Sequence, residues 1–272
     1  MTPVRPWLVV RMLAWRELVR FFRQRHRVIG AIGQPLLFWM LFGAGLRQSF
    51  RMSPGSGETF LEYYFPGTVM LTLLFTAIFS TISIIEDRRE GFLQSVLVGP
   101  AGRWAMVVGK LLGGSAIAML QACFMLALGA LLGAPSRWLD WGQMLGMLSL
   151  TALGMTGLGF VLAWRLDSTQ GFHAVMNLLL MPMWLLSGAF FPMPAWTGES
   201  PWSQVALHAV MRLNPLTYCV AGTRRAWSGV DLPLGYFQPD QQLCWLVAVG
   251  FAVALTLLAI RVGNTRTAGD WQ

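Results

Sequence analysis

Residues 86–114 read EDRREGFLQSVLVGPAGRWAMVVGKLLGG and hold seven charged side chains in one short island between long apolar runs. Because charged groups are costly in hydrocarbon, we expect this island to lie outside a bilayer, between two membrane-spanning segments. The island is too short and too mixed in charge to form a domain. Its first part, Glu86–Val98, is predicted as a short cytoplasmic helix that a soluble partner protein can bind.

The composition of the whole chain indicates a membrane protein. Of its 272 residues, 55% are hydrophobic and 12% are charged, whereas soluble domains average about 25% charged. The net charge is +8, and nearly all of the basic residues are arginine. We attribute this charge to arginines at the cytoplasmic ends of spans rather than to nucleic-acid binding. The three cysteines show neither disulfide nor metal-ligand spacing.

Six stretches are apolar and long enough, at about 20 residues, to be predicted as membrane-spanning helices. They are Val28–Leu46, Phe65–Ile85, Trp104–Leu132, Trp141–Trp164, Phe172–Phe191 and Leu243–Val262. With both termini on one side, that side carries 14 of the 20 Lys and Arg residues, so both termini are predicted to be cytoplasmic. The predicted fold class is an all-α integral membrane protein, with one six-span domain over residues 28–272.

Residues 1–27 are predicted as an amphipathic helix that lies along the cytoplasmic membrane surface. On a helical wheel, five arginines share about a sixth of the circumference, and a Trp-rich apolar face lies opposite. These arginines are Arg5, Arg16, Arg20, Arg23 and Arg27. A plain positively charged flank of the first span is the alternative interpretation.

The outer segment, residues 192–242, holds apolar pieces that are too short to span a membrane. We therefore predict re-entrant or interfacial helices before the sixth span. Pro182 is predicted to kink the fifth span, because an interior proline removes a helical hydrogen bond, and Ser187-Gly188 with Pro192 mark where this span ends early.

Within that outer segment, Asn214 is placed to cap a short helix that begins at Pro215. Arg224 and Arg225 lie beyond this start and can meet an anionic group of a substrate or a lipid. An ordinary outer loop with interfacial arginines is the alternative.

No catalytic or nucleotide-binding pattern is found. A phosphate-binding loop needs G-x-x-x-x-G-K-[ST], but Leu111 follows Lys110 and Trp104 stands where the first glycine belongs. The histidines have no metal-ligand neighbour at helical spacing. We expect no enzyme activity and no cofactor in this chain, and an energy source on another protein. A channel or ion-coupled secondary transporter and a membrane-embedded enzyme are the alternatives, and inverted repeats with a broken helix in each half would favour the transporter.

Three segments, in order along the chain, resemble the type-2 ABC transporter permeases, which are membrane subunits of bacterial exporters for drugs, lipids and polysaccharides. QPLLFW at residues 34–39, with Phe42-Gly43, is similar to the start of that family's first span. EGFLQSVLVGP at residues 90–100 resembles its E-x-G-T-x-E-x-L-x-x-x-P segment, from which Phe92 and Gln94 depart. SGAFFP at residues 187–192, NPLTY at residues 214–218 and Arg224 resemble its C-terminal signature.

The resemblance implies six spans, an N-terminal interface helix, a coupling helix between the second and third spans, and outer re-entrant helices before the sixth. It implies the permease subunit of an ATP-driven exporter in a bacterial inner membrane, carrying an amphiphilic substrate such as a drug, a lipid or a lipid-linked glycan outward. The implied partners are a second permease copy, two copies of a separate ATPase that carries ATP and Mg, and membrane lipid, with no nucleic acid.

The candidate site residues fall into two groups. The coupling group, at the ATPase, is Glu86, Arg89, Glu90, Gly91, Phe92, Leu93 and Leu97. The outer-gate group, in the re-entrant region, is Ser187, Gly188, Pro192, Asn214, Pro215, Tyr218 and Arg224.

Overall fold

The computed structural model describes residues 5–24, 28–30, 33, 36–37, 39–41, 60–98, 102–131, 140–190, 192–193, 202–229 and 236–265. This part of the chain is helical and contains no β-strand. Its helices are α1 Pro6–Arg23, α2 Phe60–Ser80, α3 Ile82–Arg89, α4 Phe92–Val98, α5 Arg103–Leu131, α6 Trp141–Arg165, α7 Thr169–Leu185, α8 Trp202–Leu213, α9 Pro215–Ser228 and α10 Gln241–Gly263.

Four helical segments of the described residues are long and apolar enough to cross a membrane. They are Tyr63–Arg89, which joins α2 and α3, together with Arg103–Leu131, Trp141–Arg165 and Gln241–Gly263. These segments correspond to the second, third, fourth and sixth predicted spans. The length of an apolar run bounded by charge can be read from the sequence, so the long apolar helices predicted at these four positions are confirmed.

The other two predicted spans have different outcomes. Val28–Leu46 lies for the most part outside the described residues. The predicted span Phe172–Phe191 corresponds to α7, which has 17 residues and ends at Leu185. Gly188 adopts a φ of 77°, a left-handed conformation that turns the chain away from the helix axis.

The predicted helix Glu86–Val98 is also corrected, because the structure divides it in two. Its charged start belongs to α3, which continues from the second span and ends at Arg89. Gly91 has a φ of 75°, which interrupts the helix, and α4 then begins at Phe92. The island is therefore a turn between a long helix and a short one.

Contacts between neighbouring helices show which ends of the bundle coincide. Phe65 on α2 packs against Gly129 near the end of α5, so these two helices run antiparallel. Gly263 at the end of α10 lies against Val107 near the start of α5. We call the end where α3 finishes and α5 begins the charged end. We call the end where α2 begins and α9 lies the far end.

Small residues and polar pairs hold the bundle together. A β-carbon built on Gly157 of α6 would lie 3.1 Å from the backbone of Leu255, so α6 and α10 are in close contact. Thr76 Oγ1 donates to Gln121 Oε1 at 2.8 Å and joins α2 to α5. Small residues and interhelical hydrogen bonds are the usual means of association for helices in lipid, where the hydrophobic effect does not drive packing.

Candidate functional site

At the charged end, α1 lies along the first turns of α5. A β-carbon built on Gly109 would lie 2.9 Å from Leu13 Cβ, and one built on Gly113 would lie 2.8 Å from Glu17 Cβ. The Gly-x-x-x-Gly spacing lets the two helix backbones approach closely, as it does between membrane helices. α1 is therefore packed into the bundle.

The centre of the candidate site is a buried ion network around Lys110 of α5. Lys110 Nζ donates to Glu17 Oε1 at 2.6 Å, to Ser83 Oγ at 3.2 Å and to a carboxylate oxygen of Asp87. The side chains of Lys110 and Asp87 are 2% and 0% exposed. Charges so deeply buried are stable only when they are paired and hydrogen-bonded.

Two arginines of α1 complete the network. Arg16 makes a bidentate pair with Asp87, with nitrogen–oxygen distances of 2.7 and 3.0 Å. Arg20 donates to Asp87 Oδ1 at 2.7 Å and to Glu86 Oε2 at 2.8 Å. The hydrogen bonds to Asp87 raise the pKa of Arg16 above its ordinary value. We call Arg16, Glu17, Arg20, Glu86, Asp87 and Lys110 the charged cluster.

Part of the charged island of residues 86–114 is buried within the bundle, whereas its position outside the bilayer stays a prediction. Asp87 and Lys110 are inside the bundle, because cations and carboxylates from three helices neutralise one another when the helices pack. Two members of the predicted arginine stripe, Arg16 and Arg20, point into the charged cluster. The stripe is thus in part an internal contact surface.

α1 also has an apolar face that the bundle does not cover. Trp7, Met12 and Trp15 are each about two-thirds exposed, at 67%, 70% and 66%. They belong to the Trp-rich face predicted from the sequence. A helix with arginines beside exposed tryptophans suits the boundary between lipid and water.

The arginines at the end of α3 join it to the connection between α6 and α7. Arg88 Nη2 donates to the carbonyl oxygens of Trp164 at 2.8 Å and Ala163 at 3.3 Å. The last carbonyls of a helix lack partners within the helix, and a cation is favourable there. Arg89 Nη2 donates to the backbone oxygen of Asp167 at 2.9 Å. The end of α3 is therefore attached to α6 as well as to α1 and α5.

α4 is the exposed element beside the charged cluster. Val98 is 88% exposed, and Gln94 is exposed on the same short helix. Phe92 lies under the guanidinium of Arg16, with 3.7 Å between the guanidinium carbon and the ring centroid. Leu93 is buried at 4% exposure. One face of α4 is thus held by the bundle, and the other is open to a partner.

The remaining predicted coupling residues lie around the same helix. Glu86 accepts from Arg20, and Glu90 lies 3.7 Å from the same arginine. Leu97 packs partly buried against the core. Arg89 points instead toward the α6–α7 connection. Their coupling role stays a prediction.

At the far end, the carbonyl of Gly188 accepts two hydrogen bonds. Tyr63 Oη donates to it at 2.7 Å and Arg224 Nη2 donates to it at 2.8 Å. The Arg224 guanidinium carbon is also 4.0 Å from the Tyr63 ring centroid. Arg224 is buried and joins α2, the end of α7 and α9.

Asn214 caps α9 as the sequence predicts. Its Oδ1 accepts from the Leu216 backbone nitrogen at 3.1 Å, and Pro215 occupies the first turn of the helix. Its Nδ2 donates to the Met183 carbonyl at 2.6 Å. One side chain therefore starts α9 and also attaches it to α7.

The other predicted outer-gate residues make local contacts. Ser187 Oγ donates to the Trp184 carbonyl at 2.6 Å, and Tyr218 Oη donates to the Arg212 carbonyl at 3.0 Å. Pro192 is partly buried just after the turn that follows α7. Their role as a gate stays a prediction.

The sequence reasoning did not identify Glu17, Asp87 and Lys110 as one site. The sequence does contain a signal for this site. Glu17 is the one acidic residue within residues 1–27, and Lys110 is the chain's one lysine and lies within an apolar run. An isolated charge in apolar surroundings suggests a buried partner.

The described part of the chain holds no group of three or more His, Cys, Asp or Glu residues suited to bind a metal ion.

The charged end and the far end both fall within a match to a known protein family. The sequence model of the family described as ABC-2 type transporter matches residues 9–226. The match begins in α1 and ends in α9, so it includes the charged cluster, α4 and the contacts around Gly188.

Several named proteins are similar to the chain over most of its length. The putative transport permease ycf38 of Cyanophora paradoxa is 29% identical over 225 residues, which are 80% of this chain and 73% of that protein. Nodulation protein J of Rhizobium leguminosarum bv. viciae is 25% identical and covers 94% of this chain and 95% of its own length. The daunorubicin resistance ABC transporter permease protein DrrB1 of Streptomyces coeruleorubidus is 21% identical, with 93% and 85% covered.

Proposed function

Because this chain belongs to the ABC-2 type transporter family, we propose that it is the permease subunit of an ATP-driven exporter. Permeases of this family work with an ATPase subunit, and the apolar helices make the chain a multi-pass membrane protein. The proposed cargo is an amphiphile, such as a drug, a lipid or a lipid-linked glycan, moved outward from the cytoplasm or the inner leaflet. DrrB1, named for daunorubicin resistance, supports this substrate class.

The observation that carries the proposal is the placement of α4. This short helix is exposed on one side, as Val98 shows, and is held on the other by Leu93 and by Arg16 over Phe92. A partner that pushes on the open face therefore pushes against the charged cluster. We propose that α4 docks in a groove of the ATPase and acts as the coupling helix.

The charged cluster can transmit a displacement of α4 to the predicted membrane-spanning helices. Asp87 stands at the end of the second predicted span, Lys110 near the start of the third, and Arg16 on α1. A displacement of α4 that carries Arg16 with it must also move Asp87 and Lys110, because unpairing a buried charge costs several kcal/mol. Paired charges thus make α1, α3 and α5 respond together.

The proposed assembly contains two permease copies and two copies of the ATPase, which carries ATP and Mg, in a bacterial inner membrane. Both termini and α4 lie on the cytoplasmic side, supported by the excess of Lys and Arg there. Leu178 on α7 and Leu246 on α10 are 79% and 69% exposed, and such faces suit lipid or a second copy. α8 and α9 then form the outer re-entrant segment.

A charge reversal just before α4, at Glu90, and an added charge on the open face of α4, at Val98, test the coupling proposal. Glu90→Lys and Val98→Asp are each expected to lower transport and transport-linked ATP hydrolysis by about tenfold, since one disrupted interface contact can remove more than 1 kcal/mol. The measurement uses the complex reconstituted in proteoliposomes. Leu93→Asp is unsuitable because Leu93 is buried, and its loss would disturb the fold.

The matched control is Asp167→Lys, which reverses a charge that is 97% exposed at the same end of the bundle but lies off α4. It is expected to retain wild-type transport, because exposed ion pairs contribute little. Wild-type coupling in both the Glu90 and the Val98 variant would refute the docking proposal.

The chain alone is expected to hydrolyse no ATP, because Leu111 and Trp104 stand where a phosphate-binding loop needs Ser or Thr and Gly. The measurement compares phosphate release by the purified chain with release by the chain after its ATPase partner is added. Sustained hydrolysis by the partner-free chain, unaffected by removal of trace contaminants, would overturn the proposal.

A further inference from the structure

A small cavity of about 30 Å³ lies at the far end of the bundle, where the turn after α7, α9 and the segment before α10 meet. Two arginines, Arg224 and Arg225, line it side by side. We call it the Arg224 pocket, and its lining includes Ser187, Gly188, Thr217, Arg224, Arg225 and Phe237. A cavity of this size accommodates a small polar group but not a whole substrate.

Arg224 is a buried cation without an anionic partner among the described residues. It is 8% exposed, and its Nη2 donates to the neutral Gly188 carbonyl. Its Nε has no hydrogen-bond acceptor in the described part of the chain. Arg16 and Arg20 at the charged end, by contrast, each meet Asp87. A buried charge that is not neutralised is costly, so an anion at this position would be stabilising.

The polar groups around the cavity favour a negatively charged ligand. Arg225 Nη1 donates to the Pro239 carbonyl at 2.7 Å, which places its guanidinium against the same cavity. The hydroxyls of Ser187 and Thr217 donate to backbone carbonyls, at 2.6 Å each. The Arg224 guanidinium is therefore the main donor that these contacts leave for a ligand, and Arg225 adds a second positive charge at the cavity.

The chemistry points to a phosphate group. A guanidinium presents its N–H donors in a planar fork that matches phosphate oxygens, and such charge-assisted bonds are stronger than neutral ones. The neighbouring α8 has Trp202 and Leu213, both 83% exposed, and such residues favour the headgroup level of a bilayer. We infer that the Arg224 pocket binds a phosphate group, carried either by a lipid headgroup or by a soluble molecule.

The test measures binding to the purified chain in neutral detergent by native mass spectrometry, with no ATPase present. The probes are short-chain phosphatidylglycerol, glycerol 3-phosphate, and diacylglycerol with the same acyl chains. Arg224→Gln and Arg225→Gln are expected to weaken phosphatidylglycerol binding by about tenfold or more, because hydrogen bonds to charged groups contribute roughly 1.5–3 kcal/mol. Diacylglycerol is expected to bind equally weakly to every variant.

The control is Arg212→Gln, which removes a cation from the same region that stacks on Phe237 at 4.6 Å without lining the cavity. It is expected to bind phosphatidylglycerol as the wild type does. Binding of glycerol 3-phosphate as tight as that of phosphatidylglycerol identifies a soluble phosphate, and binding of the lipid alone identifies a headgroup.

Three results would overturn the inference. The first is that the wild type binds phosphatidylglycerol no more tightly than diacylglycerol. The second is that the Arg224 and Arg225 variants bind phosphatidylglycerol as tightly as the wild type, and the third is that Arg212→Gln weakens binding as much as they do. If Arg224→Gln does not fold, Arg225→Gln decides the outcome. Because no transport or ATP hydrolysis is measured, failure here leaves the exporter proposal standing, and failure of that proposal leaves this site testable.

Discussion

Lys110→Met is expected to destabilise the bundle at the charged end by about 3–5 kcal/mol, the usual cost of breaking a buried ion pair. Methionine keeps the apolar stem but removes the cation that contacts Glu17 and Asp87. Asp87 retains its ion pairs with Arg16 and Arg20, whereas the one ion pair left to Glu17 among the described residues is a contact of 3.4 Å to Arg16. The measurement is the thermal unfolding midpoint of the purified chain in lipid nanodiscs, with transport by the reconstituted complex alongside.

The double variant Glu17→Gln with Lys110→Met separates charge from packing. It removes the stranded carboxylate along with the lysine, so most of the lost stability is expected to return. Arg165→Gln is the control, because it removes an exposed cation at the same end of the bundle. An unchanged midpoint in Lys110→Met, or no recovery in the double variant, would show that the charged cluster does not hold this end together.

Gly113→Val is expected to separate α1 from α5. A β-carbon at position 113 would lie 2.8 Å from Glu17 Cβ and 3.1 Å from the Ala14 carbonyl oxygen, so the backbone of α1 must move. Overpacking of this kind typically costs about 1–3 kcal/mol, and the displaced Glu17 would also leave Lys110. Once α1 is released, trypsin cleavage after Arg16 is expected to become about tenfold faster.

Gly250→Val on α10 is the matched control for this variant. The space around Gly250 is open, with no atom of another described helix within 4 Å of a built β-carbon, so the same side chain is tolerated there. Cleavage after Arg16 is expected to stay at the wild-type rate. If Gly113→Val is as resistant to trypsin as Gly250→Val, the close packing of α1 on α5 is refuted.

The two variants probe different parts of one proposed pathway. Lys110→Met removes the ion pairs of α5 with α1 and α3, whereas Gly113→Val disrupts the packing of α1 on α5. If α1 transmits motion from α4, both should reduce transport more than ATP hydrolysis. A variant that lowers both activities equally would instead indicate a loss of assembly with the ATPase.

Much of the fold could be predicted because its signals are local. The predicted third span, Trp104–Leu132, differs from α5 by one residue at each end, since a long apolar run bounded by charge is read directly from the chain. The cap at Asn214 was predicted correctly because Asn is a preferred N-cap residue and Pro is favoured in the first turn, and both signals are local.

Other features depended on contacts that the sequence does not state. The Glu86–Val98 segment was predicted as one helix, but α3 ends at Arg89 because Gly91 turns the chain. Leu93 was predicted among the partner contacts, yet the bundle buries it. Neither outcome follows from composition. A glycine within a helical pattern can be tolerated or can end the helix, and a leucine on a short helix can be buried or can face a partner.

The candidate site shows the same division. Its location was predictable, because residues 86–98 and residues 187–224 contain the charged island and the family-like signature. Its construction was not, because each interaction joins positions far apart along the chain. Arg16 and Asp87 are 71 residues apart, and Lys110 and Glu17 are 93 residues apart.

The amino-acid sequence by itself determined the membrane class, the length of most spans, the family and the helix start at Asn214, since these depend on apolar runs and neighbouring residues. Only the tertiary structure decided that Asp87 and Lys110 are buried together, that α1 supplies their partners, and that Arg224 meets no carboxylate among the described residues. The physical reason is that a charge can enter a bundle only where another helix brings its counterion, and which helix does so depends on packing.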